Sequence, residues 1–282
     1  MNLYFVGKDT EGDKEEQLAA FRDTFKLTDL DNADIIYCAS INQTNKARLA
    51  HKQTGKRLAV YCWDYYKWAH EGKHHGVWDW KTYADLLKSA DIIFVPSQAQ
   101  RLRLRELLSL DSHVVLSGVR RFNNKVKDLD FILDPVRYYP DETSKWAVRA
   151  AEQLNIPIVH SEHQYSEKEF RELVAACSFM TSTVNEASTG GLTLTEGMWL
   201  GKQSLVSNSP YMGAKDYLKT NACYFQHDDY DDLVKQMDLM WKDRPVLRLA
   251  EVRDMMDKEL TFQRMADQIY RYLFKMLYYN LD

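Results

Sequence analysis

Asn185-Glu186-Ala187-Ser188-Thr189-Gly190-Gly191-Leu192-Thr193-Leu194-Thr195-Glu196-Gly197-Met198-Trp199-Leu200-Gly201 is the stretch that decides how this 282-residue chain is read. The residues before it, Phe179 to Val184, are apolar or β-branched for the most part and predict a strand. Leu192, Thr195, Glu196 and Trp199 then recur at helical spacing, and Gly201 supplies a stop. Strand, Gly-rich turn and helix follow in that order. Gly190 and Gly191 have no Cβ, so the backbone can turn tightly and a ligand can approach closely. The free amides that open the helix favour an anion. Glu186 falls at the carboxyl end of the strand, where ligands of open α/β sheets bind, and Glu196 lies about one turn into the helix. An acid on each side of a phosphate cradle suggests a nucleotide-sugar site, with diphosphate in the cradle and hydroxyls on the acids. The spacing leaves a second reading open, an ordinary strand–turn–helix with solvated acids.

The same alternation extends in both directions. Towards the N-terminus, strands are expected at Leu3–Val6, Ile35–Ala39, Leu58–Cys62, Ala90–Pro96 and His113–Leu116. Between them lie helical patterns at Glu15–Phe25, Asn45–Gln53, Trp80–Lys88 and Gln98–Leu108. A polar stretch from Asn123 to Asp128 marks a domain boundary. Beyond it, strands are expected at Phe131–Leu133, Ile156–His160, Ser204–Ser207 and Ala222–Phe225. Helices are expected at Trp146–Leu154, Glu167–Ala176, Asp231–Trp241, Val246–Asp257 and Phe262–Tyr279. Strands alternating with helices predict an α/β protein with parallel sheets.

A net charge of −4 gives no broad field for nucleic acid, although a local basic patch is compatible with it. Cys38, Cys62, Cys177 and Cys223 form no C-x-x-C pair, and three of them sit in or beside apolar runs, the pattern of buried thiols in a reducing, cytoplasmic compartment. The opening Met-Asn-Leu-Tyr-Phe-Val-Gly lacks the basic and apolar regions of a signal peptide. No apolar run reaches transmembrane length, so any membrane contact is expected to be peripheral.

The quoted stretch, followed by Gly201-Lys202-Gln203-Ser204-Leu205-Val206-Ser207-Asn208, resembles the nucleotide-sugar site of retaining GT-B glycosyltransferases. The likeness is to the large family (glycosyl transferases group 1) that carries a Glu, a Gly-rich loop and a second Glu. Ala90 to Ser97 and Val114-Val115-Leu116-Ser117-Gly118-Val119, with Phe122 after them, resemble that family's entry to its inter-domain linker. The family's two Glu are usually eight residues apart. Here Glu186 and Glu196 are ten apart, and Ser188 holds the eight-residue position. The resemblance implies two Rossmann-like domains with a cleft between them. Residues 1–120 would form the acceptor side, with helix 262–282 packing back on it, and residues 121–261 would bind the nucleotide sugar.

It also implies roles. Arg137 and Lys145 would neutralise the departing diphosphate; Lys145 lies eight residues after Arg137, where five is usual and Glu142 stands. Glu186 would orient sugar hydroxyls and Glu196 would hold the ribose. Gly190, Gly191, Leu192 and Thr193 would meet phosphate. The family retains anomeric configuration by same-face attack, a leaving phosphate oxygen assisting removal of the acceptor proton, and needs neither metal nor cofactor beyond the nucleotide-diphosphate sugar. Trp63, Asp64 and Tyr65 close the third strand, where aromatics can stack on sugars and an acid can position a hydroxyl; packing at the domain interface is the alternative reading of the rings. His70, His74 and His75 have no supporting carboxylate or cysteine pattern for a metal. None of the Asp-x-Asp pairs at Asp29, Asp128 and Asp229 is expected to follow a strand; they fall before a strand or in a polar turn, as solvated loop acids. Arg101, Arg103, Arg105, Arg120 and Arg121 read as a solvated helix face or as a contact for a polyanion. The expected activity is hexosyl or pentosyl transfer to a glycan, a lipid-linked sugar or modified DNA. A phage-type DNA-base glycosyltransferase and a non-catalytic nucleotide-sugar-binding protein are the other two readings.

Overall fold

A computed structural model of the chain describes residues 1–7, 13–72, 79–122, 124–127, 129–135, 142–160, 165–184 and 192–279. The strands are β1 (Asn2–Val6), β2 (Lys26–Leu27), β3 (Ile35–Cys38), β4 (Arg57–Tyr61), β5 (Ile92–Val95), β6 (His113–Val114), β7 (Ile132–Asp134), β8 (Ile158–His160), β9 (Phe179–Ser182), β10 (Gln203–Ser207) and β11 (Cys223–Phe225). The first helices are α1 (Asp13–Thr24), α2 (Thr44–Thr54), α3 (Lys67–His70), α4 (Trp80–Ser89), α5 (Gln98–Leu108) and α6 (Trp146–Gln153). They are followed by α7 (Glu167–Ala176), α8 (Leu192–Trp199), α9 (Ala214–Leu218), α10 (Tyr230–Asp243), α11 (Leu249–Glu259) and α12 (Phe262–Tyr279). The chain divides into two compact units, one of Met1–Val119 with Lys258–Asp282, the other of Arg120–Asp257.

The first unit holds a parallel sheet in the order β2-β1-β3-β4-β5-β6. Every residue of β3 and β5 is buried, as a parallel sheet covered on both faces requires. The covering helices end where their sequences dictate. Ser97 caps α5 by accepting from the Gln100 amide at 3.1 Å, and Gly55 closes α2 at a φ of 66° that an L side chain rarely adopts. Helix α12 carries Phe262, Met265, Ala266, Ile269, Leu273 and Met276 at helical spacing, and these pack with Leu3, Ile35, Tyr37 and Phe94 in one cluster. Gly118 is dictated by the same packing. A Cβ there would lie 2.4 Å from the backbone nitrogen of Phe262.

The second unit holds a parallel sheet in the order β11-β10-β9-β7-β8. Strand β8 begins at Ile158 rather than at Ile156, because the Ile156 amide donates to Ala151 O at 2.8 Å and Pro157 has no amide to give. Strand β2, helix α3 and helix α9 were not expected. Each is two to five residues long and too short to show a period.

The thiols follow the composition. Burial pushes the Cys38 thiol up to about 11 and the Cys62 thiol up to about 12, and Cys177 is fully buried. Cys223 is partly exposed, and burial raises its thiol as well. Ellman's reagent at pH 8 is therefore expected to modify Cys223 alone in the native protein and all four thiols after denaturation. Rapid labelling of two or more native thiols would contradict this packing.

Candidate functional site

The five-stranded sheet has one position where the chain reverses its direction of winding. From β7 it moves outward to β8, then returns to β9 on the other side of β7 and continues to β10 and β11. Ligands of open α/β sheets bind at the carboxyl ends of the strands flanking such a switch point. The register shows the crevice opening there. Strand β7 pairs with β9 only through Ile132 with Phe179 and Leu133 with Met180. Beyond that point β7 pairs with β8 up to Asp134 and His160, while β9 pairs with β10 up to Ser182 and Val206.

Three elements shape this end of the sheet. Asp134 closes β7 with a fully buried carboxylate, and its Oδ2 lies 2.9 Å from His160 Nδ1 at the end of β8. A buried carboxylate requires such a partner. Past the end of β9, the Thr183 hydroxyl donates to Thr143 O at 2.6 Å and so holds the 3-10 turn Glu142–Lys145 against that strand. Helix α8 then packs on β9 at Gly197, where a Cβ would lie 2.3 Å from the Met180 sulfur. Gly201 ends the helix at φ 83°, with the Lys202 amide donating to Gly197 O at 2.9 Å. Leu192 and Thr193 open the helix half-buried, and Leu194, Thr195 and Glu196 are buried.

Glu196 is 8% exposed, and its Oε1 lies 3.5 Å from Arg120 Nε. Arg120 also donates through Nη1 to Glu167 Oε1, and Arg171 Nη2 reaches the same oxygen at 2.5 Å. The hydrogen bond from Arg120 is the main reason that the Glu167 carboxyl is held below its ordinary value of 4.5. Arg171 lies 4.2 Å from the Phe122 ring centre, and the Trp199 indole donates to Phe122 O at 3.2 Å. The segment Arg120–Phe122 is thereby fastened to α7 and α8.

Of the residues expected at the donor site, Lys145, Leu192, Thr193 and Glu196 have described positions at this end of the second unit. Arg137, Glu186, Gly190 and Gly191, with Ser188, lie outside the described residues. Asp134 and His160 are additional polar groups here that the sequence did not single out for a site, and Arg120, expected on a solvated face or a polyanion contact, pairs with Glu167 and Glu196 instead. The available signal was weak: an acid and a histidine each closing a short apolar run. Nothing in the sequence indicated that the two strands would be neighbours.

The expected acceptor residues lie in the first unit. The Trp63 indole donates to Ala39 O at 2.9 Å and packs against the core cluster. Asp64 is half-buried and accepts from the Tyr66 hydroxyl at 2.6 Å. Tyr65 is 2% exposed and its hydroxyl sits 3.2 Å from His70 Nδ1; burial pushes that phenol up to about 12. His74 and His75 lie outside the described residues.

Two expectations need correction. Asp29 stands two residues past β2, where no strand was expected, whereas Asp229 lies in the turn between β11 and α10; both are exposed loop acids. Their carboxylates hold local backbone: Asp29 accepts from the Asn32 amide at 3.0 Å, and Asp229 caps α10 by accepting from the Asp232 amide at 2.9 Å. Asp128 lies outside the described residues. The arginines of α5 do not share one face either. Steps of two residues rotate about 200° around a helix, so Arg101 and Arg105 are exposed while Arg103 is 7% exposed and pairs with Glu106 at 3.1 Å. Arg121 pairs with Asp257 at 2.7 Å. Among the described residues, no group of three or more His, Cys, Asp or Glu is placed to hold a metal ion.

Two parallel sheets with helices between the strands, each sheet in its own unit, define the α/β fold of GT-B glycosyltransferases. Solved structures with this fold include Anabaena Alr3699/HepE in complex with UDP-glucose, 11% identical, with a TM-score of 0.67 over 96% of this chain and 98% of that one. The apo lipopolysaccharide outer core galactosyltransferase WaaB is 12% identical, with a TM-score of 0.64 over 100% of both chains. Sucrose-phosphate synthase (tll1590) from Thermosynechococcus elongatus is 13% identical, with a TM-score of 0.62 over 92% of this chain and 77% of that one. No protein-family model matches the chain, and no curated protein matches it.

Proposed function

We propose that this protein is a glycosyltransferase that moves a hexose or pentose from a nucleotide-diphosphate donor to an acceptor hydroxyl, with retention and without a metal ion. One observation carries the reading. The switch point of the second sheet opens beside a helix whose first turns bear Leu192, Thr193 and the buried Glu196, in a chain that shares its fold with glycosyltransferases. Residues 121–261 serve the donor and residues 1–120, with the C-terminal helix, serve the acceptor.

In this mechanism the Gly190–Thr193 segment and the start of α8 receive the diphosphate, and Glu196 accepts hydrogen bonds from the ribose. Glu186 orients sugar hydroxyls. Negative charge grows on the diphosphate as the glycosidic bond breaks. Arg137, Lys145 and the helix start stabilise that charge more in the transition state than in the ground state. The acceptor attacks from the face that the diphosphate leaves, and a phosphate oxygen takes its proton. Trp63 and Asp64, beside the buried Tyr65, position the acceptor.

The test measures slow donor hydrolysis and transfer across a panel of nucleotide sugars, with and without EDTA. Fixed cations fill the part that a metal plays in other sugar transferases, so turnover in EDTA should stay within about twofold of the untreated rate. Turnover abolished by EDTA and restored by manganese would overturn the metal-free part of the reading. Tight donor binding with neither hydrolysis nor transfer would make the protein a binder rather than an enzyme.

A further inference from the structure

The exposed side of α12 has a composition that its packing does not explain. Tyr270, Phe274 and Tyr278 recur one turn apart, with ring centres 6.0 and 4.6 Å from one to the next, and Tyr279 lies 6.3 Å from Phe274. Tyr270 rests against Phe25 in the core, but the row then runs into solvent. Phe274 is 37% exposed, Tyr278 63% and Tyr279 68%. A helix that only had to cover the sheet would carry polar residues at those positions.

Beside the rings runs a basic row. Arg271 and Lys275, one turn apart and both exposed, line a groove of about 260 Å³ with Val114, Gln268 and Tyr272. Among the described residues neither has an ion-pair partner. Arg264 and Lys258 continue the row along a second groove of about 340 Å³. Asp267 is the only acid in α12, and it accepts from Gln263 at 2.9 Å. On the other side of Tyr272, His113 stacks at 4.4 Å, and Arg101 is close enough to help burial pull that imidazole below its usual value. This face is basic in a protein whose net charge is −4.

We propose that the exposed face of α12 docks on an anionic membrane surface, its aromatic rings at the headgroup level and its basic row on lipid phosphates. Aromatic side chains with polar tips suit the boundary between headgroups and acyl chains, and the exposed Arg271 and Lys275 beside them suit anionic lipid. No described helix is long and apolar enough to cross a membrane, so the contact is peripheral. A second copy of the chain fits this face less well. Isologous pairing sets a patch against itself and would bring Arg264, Arg271 and Lys275 against their own copies, with only Asp267 of α12 to offset them. Helix α12 belongs to the acceptor-side unit of the proposed reaction, but none of its individual side chains is given a role there, so the inference does not rest on that reading.

The experiment is flotation of the full chain with phosphatidylcholine vesicles and with mixed phosphatidylcholine–phosphatidylglycerol vesicles. Binding is expected to the mixed vesicles alone and to weaken as salt rises. Arg271→Ala with Lys275→Ala should lower partitioning about thirtyfold, from roughly a factor of five per charge. Phe274→Ala with Tyr278→Ala should lower it about tenfold. Both pairs of residues are exposed, and unchanged melting temperatures would confirm that the variants fold. No binding to the mixed vesicles would overturn the proposal, as would equal binding to both kinds of vesicle. So would a concentration-dependent dimer that Phe274→Ala with Tyr278→Ala disperses.

Discussion

Arg137→Ala is expected to lower kcat about 10²–10³-fold while raising the donor KM by much less. That range is the usual result of removing one preorganised group that meets developing charge, about 2.7–4 kcal/mol. The asymmetry between kcat and KM follows from when the charge appears. The bound donor already carries its diphosphate, but the bridging oxygen gains further charge only as the sugar departs, so the guanidinium matters most in the transition state. Lys at this position should restore part of the loss, because it returns the charge without the two-pronged contact. Steady-state kinetics on the two variants decide the matter. An Ala variant with wild-type kcat would remove Arg137 from the site.

The second large effect concerns Glu196, for which the structure adds a competing use. Its carboxylate is buried beside Arg120, which also holds Glu167. A carboxylate that accepts the ribose hydroxyls should lose about 1.5–3 kcal/mol of donor binding on Glu196→Ala, roughly a tenfold to hundredfold rise in Kd. One that serves only to hold Arg120 should cost stability instead, and Arg120→Ala should then reproduce it. Deoxyribose analogues of the donor separate the two uses. The wild type should discriminate against the analogue about tenfold or more, and Glu196→Ala should not discriminate at all, the coupling expected of groups in direct contact. Discrimination retained in the variant would assign Glu196 to the Arg120 pair.

Parts of this were legible in the residues. The Gly201 stop, the run Phe179–Val184 and the helical spacing after Gly191 fixed the β9–α8 unit, because glycine at positive φ, β-branched residues and period are local properties. Helices α5 and α7 came out with the boundaries that their sequences predict, since Ser97 and Ser166 are N-caps that can be read directly. What escaped depends on neighbours distant in sequence. Asp134 and His160 meet only because β7 and β8 pair in register. Arg120 looked like one member of a basic run until Glu167 and Glu196 were brought to it. Arg103 turned inward because spacing along a helix sets facing, while a count of arginines does not.

Residues 121–261 are proposed to bind a nucleotide-diphosphate sugar at the switch point of their sheet. Titration calorimetry of the full chain with a panel of such donors, in EDTA, tests it most directly. One donor is expected to bind at a single site, the free nucleoside diphosphate to compete for it, and Glu196→Ala to weaken both about tenfold or more. Absence of binding by every nucleotide sugar in the panel, or binding that Glu196→Ala leaves unchanged, would contradict it.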